Sequence, residues 1–216
     1  MNTNSLHIVT PCKESHALSQ LTGCEVFLKL ENCQPPGSFK VRGIGYLCQH
    51  SVKNGCKGLV CSSGGNAGMA AAYAAKILSI PITIFVPQTT PSFTVKRLQE
   101  EGATVNVVGS VWDEANQEAL KFSQKDGVVY VHPFDNPVIW DGHASMIHEL
   151  KEKPDLVVCS VGGGGLLCGV VKGLKDRKWN DVPVLAVETI GAQSLNSAVE
   201  AGKLVTLSGI TRYSYA

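Results

Sequence analysis

Gly58-Leu59-Val60-Cys61-Ser62-Ser63-Gly64-Gly65-Asn66-Ala67-Gly68-Met69-Ala70-Ala71-Ala72-Tyr73-Ala74-Ala75-Lys76-Ile77-Leu78 is the stretch on which the fold turns. Gly58 to Ser62 is a short uncharged apolar run and reads as a buried strand. Ser62 to Asn66 is a small polar loop. Asn66 to Leu78 is an alanine-rich helix whose small residues let it pack closely on a sheet. The same strand–loop–helix pattern recurs downstream. Ile82 to Val86 is a strand closed by Pro87, and Pro91 to Glu101 is a helix with proline near its start. Ala103 to Val108 is a strand, Val111 to Gln124 a helix and Val128 to Val131 a strand. This regular alternation predicts an α/β fold with a parallel sheet covered on both faces.

Working outward, residues 1–23 read as an entry arm. Leu6 to Pro11 is extended, and Ser15 to Leu21 is a short helix ended by Gly23. Glu25 to Glu31 alternates and reads as a strand. Pro35-Pro36-Gly37-Ser38-Phe39-Lys40-Val41-Arg42-Gly43 follows, with Gly37 and Ser38 as turn and N-cap of a helix that stops near Asn54-Gly55. Past Asn136-Pro137, Asp141-Gly142-His143 precedes a helix running to about Lys151. Leu156 to Val161 is a strongly apolar strand that runs into Gly162-Gly163-Gly164-Gly165 and a helix over Leu166 to Leu174. Val184 to Glu188 is a strand, and Ala192 to Ala201 a helix stopped by Gly202. Leu204 to Ala216 reads as neither helix nor strand, so the strand at 184–187 is expected to lack neighbours.

Composition narrows the function classes. The 216 residues are 44% hydrophobic and 17% charged with a formal charge of +1. That is the profile of a chain able to bury a sizeable core, with no charge bias toward nucleic acid or a membrane surface. None of the eight cysteines forms C-x-x-C, and Cys61 and Cys159 sit in apolar runs as small hydrophobes. A disulfide framework is not expected. No signal-peptide pattern and no apolar run of membrane-spanning length is present, so the expected compartment is the cytoplasm.

Three features carry chemistry. Lys40 falls in a first helical turn, where the helix dipole disfavours an ammonium, and partial burial beside Phe39 pushes the same way. A neutral amine is what Schiff-base chemistry requires. The competing reading is a solvated surface lysine. Gly162 to Gly165 lies between a buried strand and a helix, where outward N–H groups and the dipole make a phosphate cradle. Its spacing is neither G-x-G-x-x-G nor a P-loop, which disfavours a nicotinamide oxidoreductase; the alternative is a tight turn with spare glycines. Ser62-Ser63-Gly64-Gly65-Asn66-Ala67-Gly68 offers two hydroxyls, an amide and free N–H groups at a helix start. That set suits a carboxylate, unless the loop is an ordinary cap. An amine, a phosphate cradle and a carboxylate cradle at the carboxyl ends of parallel strands suit an aldehyde cofactor with a phosphate handle, plus an amino acid.

P-P-G-S-F-K-V-R-G, S-S-G-G-N-A-G and S-V-G-G-G-G-L resemble the pyridoxal-phosphate enzymes of the tryptophan-synthase β fold, most of all the L-serine/L-threonine dehydratases. Asp141-Gly142-His143-Ala144-Ser145 and Val187-Glu188-Thr189 also fit, and the resemblance runs from about residue 6 to residue 211. It implies two doubly wound parallel-sheet domains: a larger cofactor-binding one of residues 1–40 plus 140–216, incomplete at its C-terminus, and a smaller α/β one of residues 41–139. It implies that Lys40 holds pyridoxal phosphate and takes the substrate's Cα proton in a β-elimination. Phe39 would pack on the ring, and Asn66 would bond its phenolic oxygen. Gly162, Gly163, Gly164, Gly165 and Leu166 would bind the phosphate, and Ser63, Gly64 and Asn66 the substrate carboxylate. Many relatives carry Ala at the position of Gly64, so a methyl beside the substrate is missing here. Glu188 and Ala192 resemble positions that ligate a monovalent cation, often potassium. Glu188 also reads as a strand-end acid or a ribose ligand, and His143 as a helix-start histidine. The family further implies a small amino-acid substrate, a homodimer, no nucleic acid or membrane partner, and a place in amino-acid metabolism and gluconeogenesis. Because the family pattern continues past residue 210, a shortened chain with weakened cofactor binding is expected. The alternative is an inactive form acting only through binding.

Overall fold

The computed structural model describes residues 5–207 and 209, which fall in two compact units, one up to Pro133 and one from Phe134 onward. The first unit opens with the arm. Strand β1 (Cys12–Glu14), helix α1 (His16–Thr22) and strand β2 (Phe27–Lys29) form a small antiparallel ribbon, with Cys12 opposite Lys29. Gly23 ends α1 in the left-handed conformation at φ 71°, as its position predicts. The strand expected over Glu25–Glu31 is shorter because Glu31–Cys33 turns into a 3₁₀ segment.

Helix α2 (Lys40–Lys53) leads into a regular series: β3 (Gly58–Cys61), α3 (Asn66–Leu78), β4 (Ile82–Val86), α4 (Ser92–Glu100), β5 (Thr104–Val107), α5 (Trp112–Phe122) and β6 (Val128–Tyr130). The four strands make one parallel sheet in the order β5-β4-β3-β6. From β3 through β5 the chain steps outward, then α5 carries it back past β3 to β6. Right-handed crossovers therefore place α5 on the face opposite α3 and α4. Side-chain alternation agrees. Val60 and Phe85 pack with Ala115 and Ala119 of α5, and the Phe85 ring lies 5.7 Å from that of Phe122. On the other face α3 buries Ala67, Gly68 and five further alanines and packs against α2, which itself buries Val41, Ile44, Leu47 and Cys48. The reversal between β3 and β6 is a topological switch point, the place where open α/β sheets bind ligands.

In the second unit, helix α6 (Pro137–His148) packs along α7 (Gly165–Asp176), and β7 (Val157–Ser160) pairs in parallel with β8 (Val184–Val187) before α8 (Ser194–Ala201). Helix α6 starts at Pro137 and contains Asp141-Gly142-His143, the segment expected to precede it. Asn136 caps it by accepting from the Val138 N–H, and Pro137 opens its first turn. His143 is accordingly a fully buried mid-helix residue rather than a helix-start one. Residues 204–207 and 209 carry no regular structure, and the rest of the predicted irregular tail lies outside the described residues. Among the described residues, no helix is long and apolar enough to cross a membrane.

Candidate active site

Lys40 is the first residue of α2, and Phe39, in helical backbone conformation, stands at the cap position. Ser38, predicted as the cap, is buried, and its hydroxyl has no hydrogen-bond partner among the described residues. Gly37 makes the preceding turn at φ 83°. The lysine side chain reaches the segment beyond the carboxyl end of β6: its Nζ donates to the Pro133 carbonyl at 2.7 Å and lies 5.2 Å from the Phe39 ring centre. Burial holds its pKa below the ordinary 10.5 by penalising the ammonium. Cys61, at the end of β3, is a titratable group close enough to act on it. Burial pushes that thiol up to about 11, so it stays protonated at neutral pH and adds no compensating charge.

The turn that bears Lys40 is anchored to the arm. Arg42 is fully buried; its Nε donates to Glu31 at 2.7 Å and its Nη2 to the other carboxylate oxygen at 2.8 Å. Thr10 donates to Glu31 at 2.6 Å and accepts from Lys29 at 2.6 Å, while Gln34 pairs with the Ile8 backbone through both amide atoms at 3.0 Å.

Between β3 and α3, Ser63 Oγ accepts from the Gly65 N–H at 3.2 Å, leaving its own proton to donate. Gly65 occupies the N-cap of α3 with no side-chain cap, so the helix start keeps backbone donors for a ligand. Asn66 is the first helical residue. A Cβ on Gly68 would lie 1.8 Å from the Ser63 carbonyl oxygen, so the loop folds onto the helix only with glycine there. A Cβ on Gly64 would meet the Thr90 methyl at 3.1 Å and Val86 at 3.4 Å. The side chain missing here therefore faces Thr90 and Val86.

In the second unit the glycine run passes from β7 into α7. Gly164 stands at the N-cap in left-handed conformation at φ 79°, again with no side-chain cap. Gly163 and Gly165 are required by Phe134, whose ring and carbonyl would lie 2.3 Å and 2.7 Å from added Cβ atoms. Beside Gly162 and Gly164 there is open space, and Gly162 and Gly163 are exposed. Glu188 receives the Leu195 and Asn196 N–H groups at 2.8 Å each, closing the start of α8. Ser194 links it to the glycine turn, donating to the Gly162 carbonyl at 3.3 Å. The Ala192 carbonyl accepts from the Ser194 N–H at 3.1 Å. Among the described residues, no cluster of three or more His, Cys, Asp or Glu side chains is placed to hold a metal.

Comparison with known proteins agrees with this geometry. A family profile described as "Pyridoxal-phosphate dependent enzyme" matches residues 4–214. Mouse "L-serine dehydratase/L-threonine deaminase" is 57% identical over 98% of the chain and 66% of its own length. The chain belongs to the pyridoxal-phosphate-dependent serine/threonine dehydratase family. Human "Serine dehydratase-like" is likewise 57% identical, over 95% of the chain and 64% of its own length. The fungal L-serine ammonia-lyase of Rhizomucor miehei superposes with a TM-score of 0.90 at 38% identity, covering 96% of this chain and 68% of that one. The chain thus spans about two thirds of the length of the curated relatives it matches.

The residues present fit the family cofactor. A partly buried amine of lowered pKa suits an aldehyde, and the uncapped α7 terminus with open space at Gly162 suits a phosphate. Lys40, Phe39, Ser63, Gly64 and Asn66 lie in the first unit, and Gly162 to Leu166, Glu188 and Ala192 in the second. Sequence reasoning missed the Pro133 carbonyl, which meets Lys40 across 93 residues, and the Arg42–Glu31 pair. It also missed Phe134, which dictates two of the four glycines. Only Arg42 carried a signal, as a second charge beside Lys40 in the first turn, followed by the apolar-rich Gly43 to Cys48.

Proposed function

We propose that the chain is an ammonia-lyase that converts L-serine to pyruvate and L-threonine to 2-oxobutyrate, each with release of ammonia. The observation that carries this reading is the Lys40 amine, partly buried and held on the Pro133 carbonyl at the switch point of the parallel sheet. Bound pyridoxal phosphate supplies an aldehyde that condenses with amines and a ring that accepts the electron pair of a broken Cα–H bond. Lys40 would hold the aldehyde carbon; once the substrate's amine displaces it, its freed neutral amine would take the Cα proton while the β-hydroxyl leaves as water. Phe39 would pack on the ring and Asn66 would bond the phenolic oxygen. Gly162, Gly163, Gly164 and Gly165 with Leu166 would present N–H groups to the phosphate. Ser63, Gly64 and Asn66 orient the substrate carboxylate so that the Cα proton faces the lysine. The same reading places a potassium ion by Glu188 and Ala192 and assigns 1–40 with 140–216 and 41–139 to two doubly wound domains. It takes the working form to be a cytoplasmic homodimer.

The experiment is direct: the chain plus pyridoxal phosphate is incubated with L-serine or L-threonine, and 2-oxo acid and ammonia are measured. Equal yields of both are expected from the wild type and none from Lys40→Ala; no product from the wild type rejects the proposal. One observation favours a second reading, in which the chain acts through binding alone. Val158, Leu185 and Val187 of the β7–β8 pair are 63%, 52% and 45% exposed. Cofactor uptake without turnover would favour it.

A further inference from the structure

A polar cluster on the α5 face of the first sheet has no part in the chemistry above. Val60 faces α5, so by strand alternation Ser62, two residues on, continues that face, and its side chain is fully buried. Its hydroxyl lies 2.8 Å from Asn116 Oδ1 and 3.0 Å from the Tyr130 hydroxyl, and Tyr130 donates to the same Asn116 oxygen at 2.6 Å. Two hydroxyl protons serve three oxygens, and the amide oxygen can only accept, so Asn116 fastens the ends of two neighbouring strands, β3 and β6. Trp112, one helical turn earlier, donates its indole N–H to the Ser62 carbonyl at 2.8 Å. The Tyr130 ring also meets His132 edge-on at 6.0 Å.

Both fastened strands lead straight into functional segments. Beyond Ser62 comes the Ser63–Asn66 turn, and beyond Tyr130 comes Pro133, whose carbonyl holds the Lys40 amine. We propose that Trp112, Asn116 and Tyr130 are positioning residues for the amino-acid carboxylate: from the far face of the sheet they set the Ser63–Asn66 turn against the lysine. This rests on the function proposed above. None of the three touches a reacting group; each acts through Ser62 or through the strand end that bears it.

Two variants test this, of which Tyr130→Phe nearly preserves side-chain volume and Trp112→Phe reduces it. Trp112→Phe keeps an aromatic ring and removes the N–H on the Ser62 carbonyl; Tyr130→Phe removes only the hydroxyl on Asn116. For each, KM and kcat for L-serine, pyridoxal-phosphate affinity by absorbance titration, and amide hydrogen exchange over residues 63–66 are measured. Loss of one such bond is expected to raise KM about fivefold. kcat and cofactor affinity should stay within about twofold, and exchange at 63–66 should quicken. A KM within twofold of wild type, unchanged exchange at 63–66, or a joint fall of kcat, cofactor affinity and thermal midpoint overturns the positioning role. A wild type that takes up cofactor but releases no 2-oxo acid refutes the proposed function instead. Exchange then decides alone: wild-type rates in both variants overturn the inference, and faster rates at 63–66 support it.

Discussion

Replacing Arg42 by Met should cost the first unit about 3 kcal/mol at neutral pH, the low end of the range for removing one partner of a buried ion pair. The variant deletes two charge-assisted bonds, at 2.7 Å and 2.8 Å, and leaves Glu31 with a side chain only 13% exposed. The low end applies because Thr10 at 2.6 Å and Gln34 at 3.3 Å still hydrogen-bond the carboxylate. Glu31 can also take up a proton in place of carrying an uncompensated charge. Adding Glu31→Gln should recover more than half of the loss, since the buried charge is gone with its partner. The pH dependence gives a second check. Burial alone would raise the Glu31 carboxyl, but Arg42, Thr10 and Gln34 outweigh it and hold the pKa below the ordinary 4.5. A carboxyl lowered in the folded state contributes stability that is complete above 4.5 and is lost as pH falls through its folded pKa. Without Arg42 the burial penalty gains the upper hand. The gap between wild type and Arg42→Met should therefore narrow on acidification below that value. Urea unfolding followed by far-ultraviolet circular dichroism at pH 7 and at acid pH measures both effects. A loss under about 1 kcal/mol at pH 7, or no recovery in the double variant, would refute the reasoning.

Two further substitutions probe the substrate loop. Gly68→Ala places a Cβ 1.8 Å from a backbone carbonyl, so either the Ser63 turn or α3 must move; a loss of about 3 kcal/mol and of L-serine affinity is expected in thermal unfolding and kinetics. Gly64→Ala meets nothing nearer than the Thr90 methyl at 3.1 Å and Val86 at 3.4 Å, so it should cost under about 1 kcal/mol. Its effect on KM should be cancelled by Thr90→Ser, which removes that methyl, and an undiminished effect in the double variant would show that position 64 acts on substrate directly.

Local signals in the sequence read well, and signals that depend on distant partners did not. The bounds of α3 and β4 follow from an unbroken alanine-rich run and from Pro87, both of which act within one turn of chain. The start of α6 was misplaced because Asp141-Gly142 looks like a break, whereas the signals that decide it, the Asn136 cap and Pro137, stand five residues earlier. Ser38 looked like a cap by residue type, yet tertiary burial took its side chain away from the helix start. The site was legible as three kinds of chemistry on three loops: an amine, N–H groups before α3 and N–H groups before α7. The acceptor for that amine was not, because a main-chain carbonyl has no residue preference and Pro133 is 93 positions away. Glu188 is a case in between. A strand-end acid was anticipated, but its hold on the α8 terminus depends on how the chain returns at Leu195 and Asn196.

The central claim is that Lys40 is the amine that holds the cofactor. Borohydride reduction of the full chain in the presence of pyridoxal phosphate, followed by peptide mapping across a pH series, tests it most directly. Label is expected on Lys40, with labelling that climbs as pH passes through a midpoint below the ordinary 10.5, because burial favours the neutral amine. Label spread over exposed lysines such as Lys96 and Lys121, with none on Lys40, would contradict it.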